Sequence, residues 1–346
     1  MPIDDEDDLL MNEAAPLRAE PRRFAPEQMV ACEKCLRTNP PTRANCLYCG
    51  ASLPVTEAGA ALRRPALRQL EAWEEGFNVI FMPDDARVLT PEILNQAAML
   101  LRLEINDLEK IMRAGLPLPL ARAAARDDAA LIESGLAKLG LRALTVSDTE
   151  LSESSSPKRV RALEFTRDEL VAYTTGGAEI LRVRWADVSL LLMGRLLTRR
   201  LEVEEKRARK KEHEIVDARE MSADESLLDL YATRSEETYR IAANSFDFSC
   251  LGELKRLVAT ENFQTLTRSL RERARDALYD DTYKQARHAL SVVWPLEQRT
   301  ESRGLRLDRP GSRSTEAVTT SDNETQFTRY SHLRRFLILR ERGLKK

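Results

Sequence analysis

Apolar positions change spacing several times along the chain, and each change marks an element. Leu67, Leu70 and Trp73 recur every three residues, which predicts a linking helix within 55–75. Phe77-Asn-Val-Ile-Phe81 is a short apolar run and reads as a strand. Thr90-Pro91 then supplies a helix cap and a proline at the first helical position, ahead of a stripe of Ile93, Ala97, Leu100 and Leu101. Asn106 with Glu109 predicts the start of a second helix, ended by Gly115. A short strand follows near Leu118 to Ala124. Asp127 is placed to cap a third helix with stripe Ile132, Leu136 and Leu139, ended by Gly140, and Arg142 to Val146 closes as a strand.

Beyond residue 150 the period shortens. Val160 to Phe165 alternates, and Glu169 to Thr174 and Ala178 to Trp185 flank Gly176-Gly177, a hairpin signal. Val188 to Met193, Leu196 to Val203, Leu227 to Ala232 and Tyr239 to Phe248 continue as short strands. Residues 251–294 return to helical spacing through Phe263, Leu266 and Leu270. Residues 301–322 are polar and read as a loop. Phe327, Tyr330 and Leu337 place a last helix within 323–346.

These patterns predict an α+β multidomain chain: a small zinc ribbon, a compact α/β sandwich module, and a β-rich meander or barrel with C-terminal helices. The expected divisions are a disordered acidic tail (1–25, with Asp4, Asp5, Glu6, Asp7 and Asp8), a zinc ribbon (26–54), a linker helix (55–75), an α/β domain (76–149) expected to fold alone, a Ser-rich linker (150–158), a β-rich domain with helices (159–300), a loop (301–322) and a basic C-terminal helix (323–346). Among 346 residues, charged side chains make up 32% and aromatics 5%, which fits leucine- and alanine-based helical packing. A formal net charge of -2 names neither nucleic acid nor a membrane as an obligatory partner. No apolar run approaches the ~20 residues that span a bilayer. The acidic start is unlike a basic signal peptide, so the expected location is cytoplasmic.

The chemistry concentrates in one stretch. Cys32 and Cys35, ten residues, then Cys46 and Cys49 form two Cys-x2-Cys pairs, the spacing of a structural zinc site. Each pair is a knuckle aiming two thiolates at one ion. Four thiolates close a tetrahedron and leave no open position for catalysis. Gly50 suits a tight knuckle and Leu36 occupies the matching place in the first pair. About 25 residues cannot bury a core of their own, so Zn2+ is expected to supply the folding free energy, roughly 10–16 kcal/mol.

The spacing Cys32-x2-Cys35-x3-Asn39-x6-Cys46-x2-Cys49 resembles the Ran-binding-protein type zinc finger. Val30 stands where that family carries a tryptophan. The resemblance implies RNA or ubiquitin binding, whereas three basic side chains (Lys34, Arg37, Arg43) against two acidic (Glu27, Glu33) make a weak electrostatic footprint for nucleic acid. The element order of 76–149, with the run from Leu120 to Gly140, resembles the C-terminal domain of the bacterial ribosomal stalk protein. That implies its fold. The family's glycine- and lysine-rich turn is replaced by Arg102-Leu-Glu-Ile-Asn-Asp107, so the ribosomal role is not implied. The strands after 159, followed by helices, loosely resemble a pleckstrin-homology module.

Other candidates read as structural. Lys206 to Lys211 is a basic cluster among glutamates, expected as a solvated loop. The C-terminal stretch 323–346 carries seven Arg/Lys against two Glu, with Phe327, Tyr330 and Phe336 interleaved; it is expected to dock by its aromatic face, with an anionic partner as the other reading. His213, His288 and His332 lack metal-ligand spacing and are expected at the surface. Asp280-Asp281 fits a helix boundary, and Cys250 a small buried apolar residue. No nucleophile elbow, phosphate loop or dinucleotide fingerprint occurs. The combined reading is a non-catalytic zinc-ribbon adaptor binding protein partners, not an enzyme. The alternative is an RNA- or ribosome-associated protein using the ribbon and the basic C-terminal helix.

Overall fold

The computed structural model describes residues 24–43, 45–54, 70, 74–84, 89–152, 156–207, 213–233, 235–309 and 312–343; within the strands, 204–217 and 303–316 are described as backbone alone. The acidic tail up to residue 23, most of the linker helix, and residues 153–155 and 208–212 lie outside the described residues. The chain divides into two compact units, Met1–Arg64 and Pro65–Lys346.

In the first unit, β1 (Val30–Ala31) pairs antiparallel with β2 (Thr38–Asn39), and Asn45 bridges Ser52. Val30, Cys32, Cys46 and Leu53 are its buried apolar residues.

The second unit is mixed α/β. β3 (Phe77–Phe81) lies between β4 (Leu118–Ala123) and β5 (Ala143–Ser147), antiparallel to both. Helices α1 (Pro91–Leu101), α2 (Ile105–Arg113), α3 (Arg126–Lys138) and α4 (Asp148–Ser152) complete this part. Its element order is the one the spacing predicts. Thr90 caps α1, accepting from the N–H of Ile93 at 3.4 Å. Gly115 and Gly140 turn out of α2 and α3 at φ 62° and 69°. Two caps differ. Glu104 and Ala125 stand at the N-caps of α2 and α3, neither with a side-chain bond, so Asn106 and Asp127 fall inside the first turns. An acidic side chain there still favours the helix dipole.

Strands β6 (Lys158–Val160), β7 (Ala162–Phe165), β8 (Glu169–Tyr173) and β9 (Glu179–Arg184) follow, with β7, β8 and β9 forming a sheet and Gly176 and Gly177 turning the β8–β9 hairpin at positive φ. Of the expected short strands beyond them, 188–193 and 196–203 merge into one, 227–232 is the end of a longer strand, and 239–248 is a strand only to Ala242 before the chain turns. β10 (Val188–Arg207) and β11 (His213–Ala232) are twenty residues each, on the order of 65 Å long at 3.3 Å per residue. Gly194 suggests a break, yet the ladder passes through it. The glycine admits a close neighbour instead, because a Cβ there would run into the Phe327 ring.

The larger sheet has the order β14-β15-β10-β11-β12-β6, with β13 (Leu278–Asp280) parallel to β10. Here β12 is Tyr239–Ala242, β14 is Glu297–Arg309 and β15 is Ser312–Asp322. Residues 301–322 are therefore a hairpin and not a loop. Most of its side chains are polar on both faces, so it carries no apolar alternation to read.

Three helices follow the central strands: α5 (Ala259–Arg273), α6 (Tyr283–Leu290) and α7 (Glu324–Glu341). The sheet is buried on both faces where β10 begins. Leu190, Leu192, Leu227 and Tyr231 join one core with β3–β5, α6 and α7; Leu191, Leu228 and Leu230 join the other with β7–β9 and α5. That explains the unbroken apolar run at 188–193. Residues 76–149 thus share a core with Trp294, Phe327, Tyr330 and Leu337, contrary to the expectation of a self-contained domain.

A buried hydrogen-bond chain crosses the same boundary. Asn78 donates to Asp148 at 2.9 Å, Trp294 Nε1 to Asn78 at 2.9 Å, and Gln326 to the Trp294 carbonyl at 2.8 Å. Tyr283 Oη donates to Gln326 at 3.0 Å and Asn323 to Tyr283 at 2.8 Å, and the Leu197 N–H donates to Asn323 at 2.7 Å. Arg122 neutralises Asp148.

Candidate metal centre

Each half of the site is built by a Cys-x2-Cys knuckle. In the first, the Leu36 N–H donates to the Cys32 carbonyl at 2.8 Å and the Cys32 N–H to the Arg37 carbonyl at 2.9 Å. The second repeats it: Gly50 N–H to the Cys46 carbonyl at 3.0 Å, Cys46 N–H to the Ala51 carbonyl at 2.7 Å. Both knuckles turn through a left-handed residue, Leu36 at φ 58° and Gly50 at φ 72°. A glycine accepts this backbone freely; a leucine pays roughly 1–2 kcal/mol for it.

The result brings Cys32, Cys35, Cys46 and Cys49 together, with all four sulfurs within 4.8 Å of one another. Cys32 and Cys49 Sγ are 3.6 Å apart, Cys35 and Cys46 Sγ 3.5 Å. A tetrahedral ion with bonds of about 2.3 Å spaces its sulfurs roughly 3.8 Å apart. The cluster fits that geometry, and it could hold a metal ion. Burial opposes charge on Cys46, yet the N–H groups of Tyr48 and Cys49 and contacts with Cys35 and Asn39 bring its thiol down to about 6. Cys35 moves the other way: the Arg37 N–H favours its thiolate, but burial and the neighbouring sulfurs push it up to about 12. Sulfurs this close ionise together only around a cation.

Asn39 locks the two knuckles. Fully buried, it donates to the Arg37 carbonyl at 2.9 Å and to Cys46 Sγ at 3.5 Å, and accepts from the Leu47 N–H at 2.8 Å. The Tyr48 N–H adds a bond to Cys46 Sγ at 3.4 Å. Such outer partners orient the ligands.

Sequence reasoning missed the surface of this centre. Leu36 is 80% exposed, Leu47 and Tyr48 are exposed, and the Arg37 guanidinium lies 4.7 Å above the Tyr48 ring. The available signal was the apolar and aromatic pair between Cys46 and Cys49, at a place where polar residues would serve a purely structural knuckle.

The remaining candidates lie in the second unit. Burial pushes the half-buried Cys250 thiol up to about 11, so it is protonated at neutral pH. Asp280 ends β13 and accepts from the Thr282 N–H at 2.9 Å and from Arg334 at 2.6 Å, while Asp281 pairs with Lys284. His288 is exposed. The His213 side chain lies outside the described residues. His332 is buried, contrary to expectation, and shares a 3.2 Å hydrogen bond with Thr238. It lies on α7 two residues beyond Tyr330, and Ser331, His332 and Leu333 are buried in succession, so the helix is packed on more than one face there. α7 is docked with Phe327 and Tyr330 buried, as expected, but its arginines do not all face outward: Arg334 binds Asp280 and Arg335 the carbonyls of Ser235 and Glu236. Among the described residues no helix is long and apolar enough to cross a membrane. No protein family, curated protein or solved structure matches the chain.

Proposed function

We propose that this protein is a non-catalytic cytoplasmic adaptor whose ribbon, folded around one structural Zn2+ held by Cys32, Cys35, Cys46 and Cys49, binds a protein partner. The single observation carrying the reading is Leu36. Its side chain is almost wholly exposed and its backbone is left-handed. An apolar residue that is unfavourable on both counts, beside exposed Leu47 and Tyr48, is explained by a partner that covers it. The all-thiolate donor set and the closed geometry support zinc in a structural role.

Leu36→Gly is the sharpest test. Glycine relieves the backbone strain, so the ribbon should keep its zinc and its fold while partner capture in affinity purification is lost. Retained capture would remove the ribbon's exposed face as the binding element. Elemental analysis should return one zinc per chain, and its absence from protein prepared without chelator would refute the metal assignment. The RNA- or ribosome-associated alternative draws less support, because α7 has its aromatic face buried and Arg334 and Arg335 engaged. A complex with nucleic acid that weakens steeply with salt would favour it.

A further inference from the structure

The larger sheet ends at β14, and among the described residues nothing pairs with the outer edge of that strand. Open edges are normally protected by shortness, proline, lysine or a bulge. β14 runs from Glu297 to Arg309 with neither proline nor lysine; its register against β15 shifts twice between Arg303 and Arg309 but is uninterrupted from Glu297 to Arg303, and that stretch is the unguarded one. The sheet's other open edges are guarded. β6 has three residues. The part of β11 beyond β12, His213–Ser226, carries Glu214, Asp217, Glu220, Asp224 and Glu225 against Arg219 alone, so a second copy laid along it would be repelled.

The charges of β14 do the opposite. Its first residues read Glu297-Gln-Arg299-Thr300-Glu301-Ser-Arg303. Laid antiparallel on a second copy about Thr300, each Arg299 faces a Glu301, each Gln298 a Ser302, and position 297 an arginine at 303. Directly opposite residues share a face in an antiparallel ladder, so the unlike charges meet on one side of the joined sheet. Residues 298–302 are exposed, Arg299 reaches only Glu297 at 3.1 Å along its own strand, and Glu301 has no partner among the described residues. From this self-complementarity we infer that β14 is a homodimer edge, pairing isologously with β14 of a second copy to make one continuous sheet. Seven residues a side make a small interface, so a weak, concentration-dependent dimer is expected.

Sedimentation velocity of the full zinc-loaded chain across the micromolar range tests this. The wild type should pass from monomer to dimer. Arg299→Glu and Glu301→Arg each set like charges opposite one another twice per dimer and should weaken association about tenfold or more. The double variant R299E/E301R exchanges the charges and should recover wild-type association. Both positions are exposed, and thermal melts of all three variants should overlay the wild type. A wild type that stays monomeric, single variants that associate as well as the wild type, or a double variant that does not recover would each overturn the inference.

Discussion

At the scale of single residues, the most telling position is one that periodicity placed on the wrong side. Buried His332 feels the charges of the Asp229–Arg240 pair, itself buried with bonds of 2.7 and 2.9 Å. Burial, only partly offset by Asp229, lowers its imidazole to about 4, while an imidazole in the unfolded chain titrates near 6.5. Above that value the ring is neutral in both states. As pH falls from 6.5 toward 4, the unfolded chain takes up a proton that the folded one refuses, so stability drops by up to about 3 kcal/mol. Urea unfolding across that window should show the slope, and His332→Gln should flatten it. Gly194 makes the converse case. Gly194→Val should cost about 1–3 kcal/mol, read as a lower midpoint in the same measurement, because the new methyls meet Phe327. The sequence reading ended a strand at Met193, just before this glycine, since nothing local announces a ring arriving from more than a hundred residues away.

At the scale of elements, whatever depends on near neighbours was legible. The Thr90-Pro91 cap, the Gly176-Gly177 turn and the cysteine knuckles all work through residues at most five positions apart, and each stands where its spacing put it. The 297–322 hairpin was not legible, because a strand pair with mainly polar residues on both faces has no period to detect. The ribbon is the element whose stability is expected to depend on the proposed ion. Cys32→Ser with Cys35→Ser should unfold it, since two sulfurs cannot close a tetrahedral site. Its residues belong to a separate compact unit, so the main calorimetric transition should move by no more than about 0.5 kcal/mol equivalent. A large fall in that transition would show the ribbon built into the larger unit.

At the scale of the whole molecule, apolar stripes were read correctly residue by residue, but what they faced was not. Ile80, Leu108, Ile111 and Leu120 are buried in the same core as Trp294, Phe327 and Tyr330. A fragment of residues 76–152 would expose that shared face and remove the Trp294 donor from buried Asn78, while Asp148 would keep Gly76, Asn78 and Arg122. The fragment should therefore lack a cooperative thermal transition, and a sharp one by circular dichroism would show that the module stands alone. The same feature sets a timetable for synthesis. A ribosome completes residue 152 long before it releases Ile338, the last buried residue of α7. At about 5–20 residues per second, the nascent α/β part waits on the order of 10–40 s with a greasy face uncovered. The larger unit accordingly closes only once α7 has been made, and a chaperone that shields the emerging chain would act in that interval.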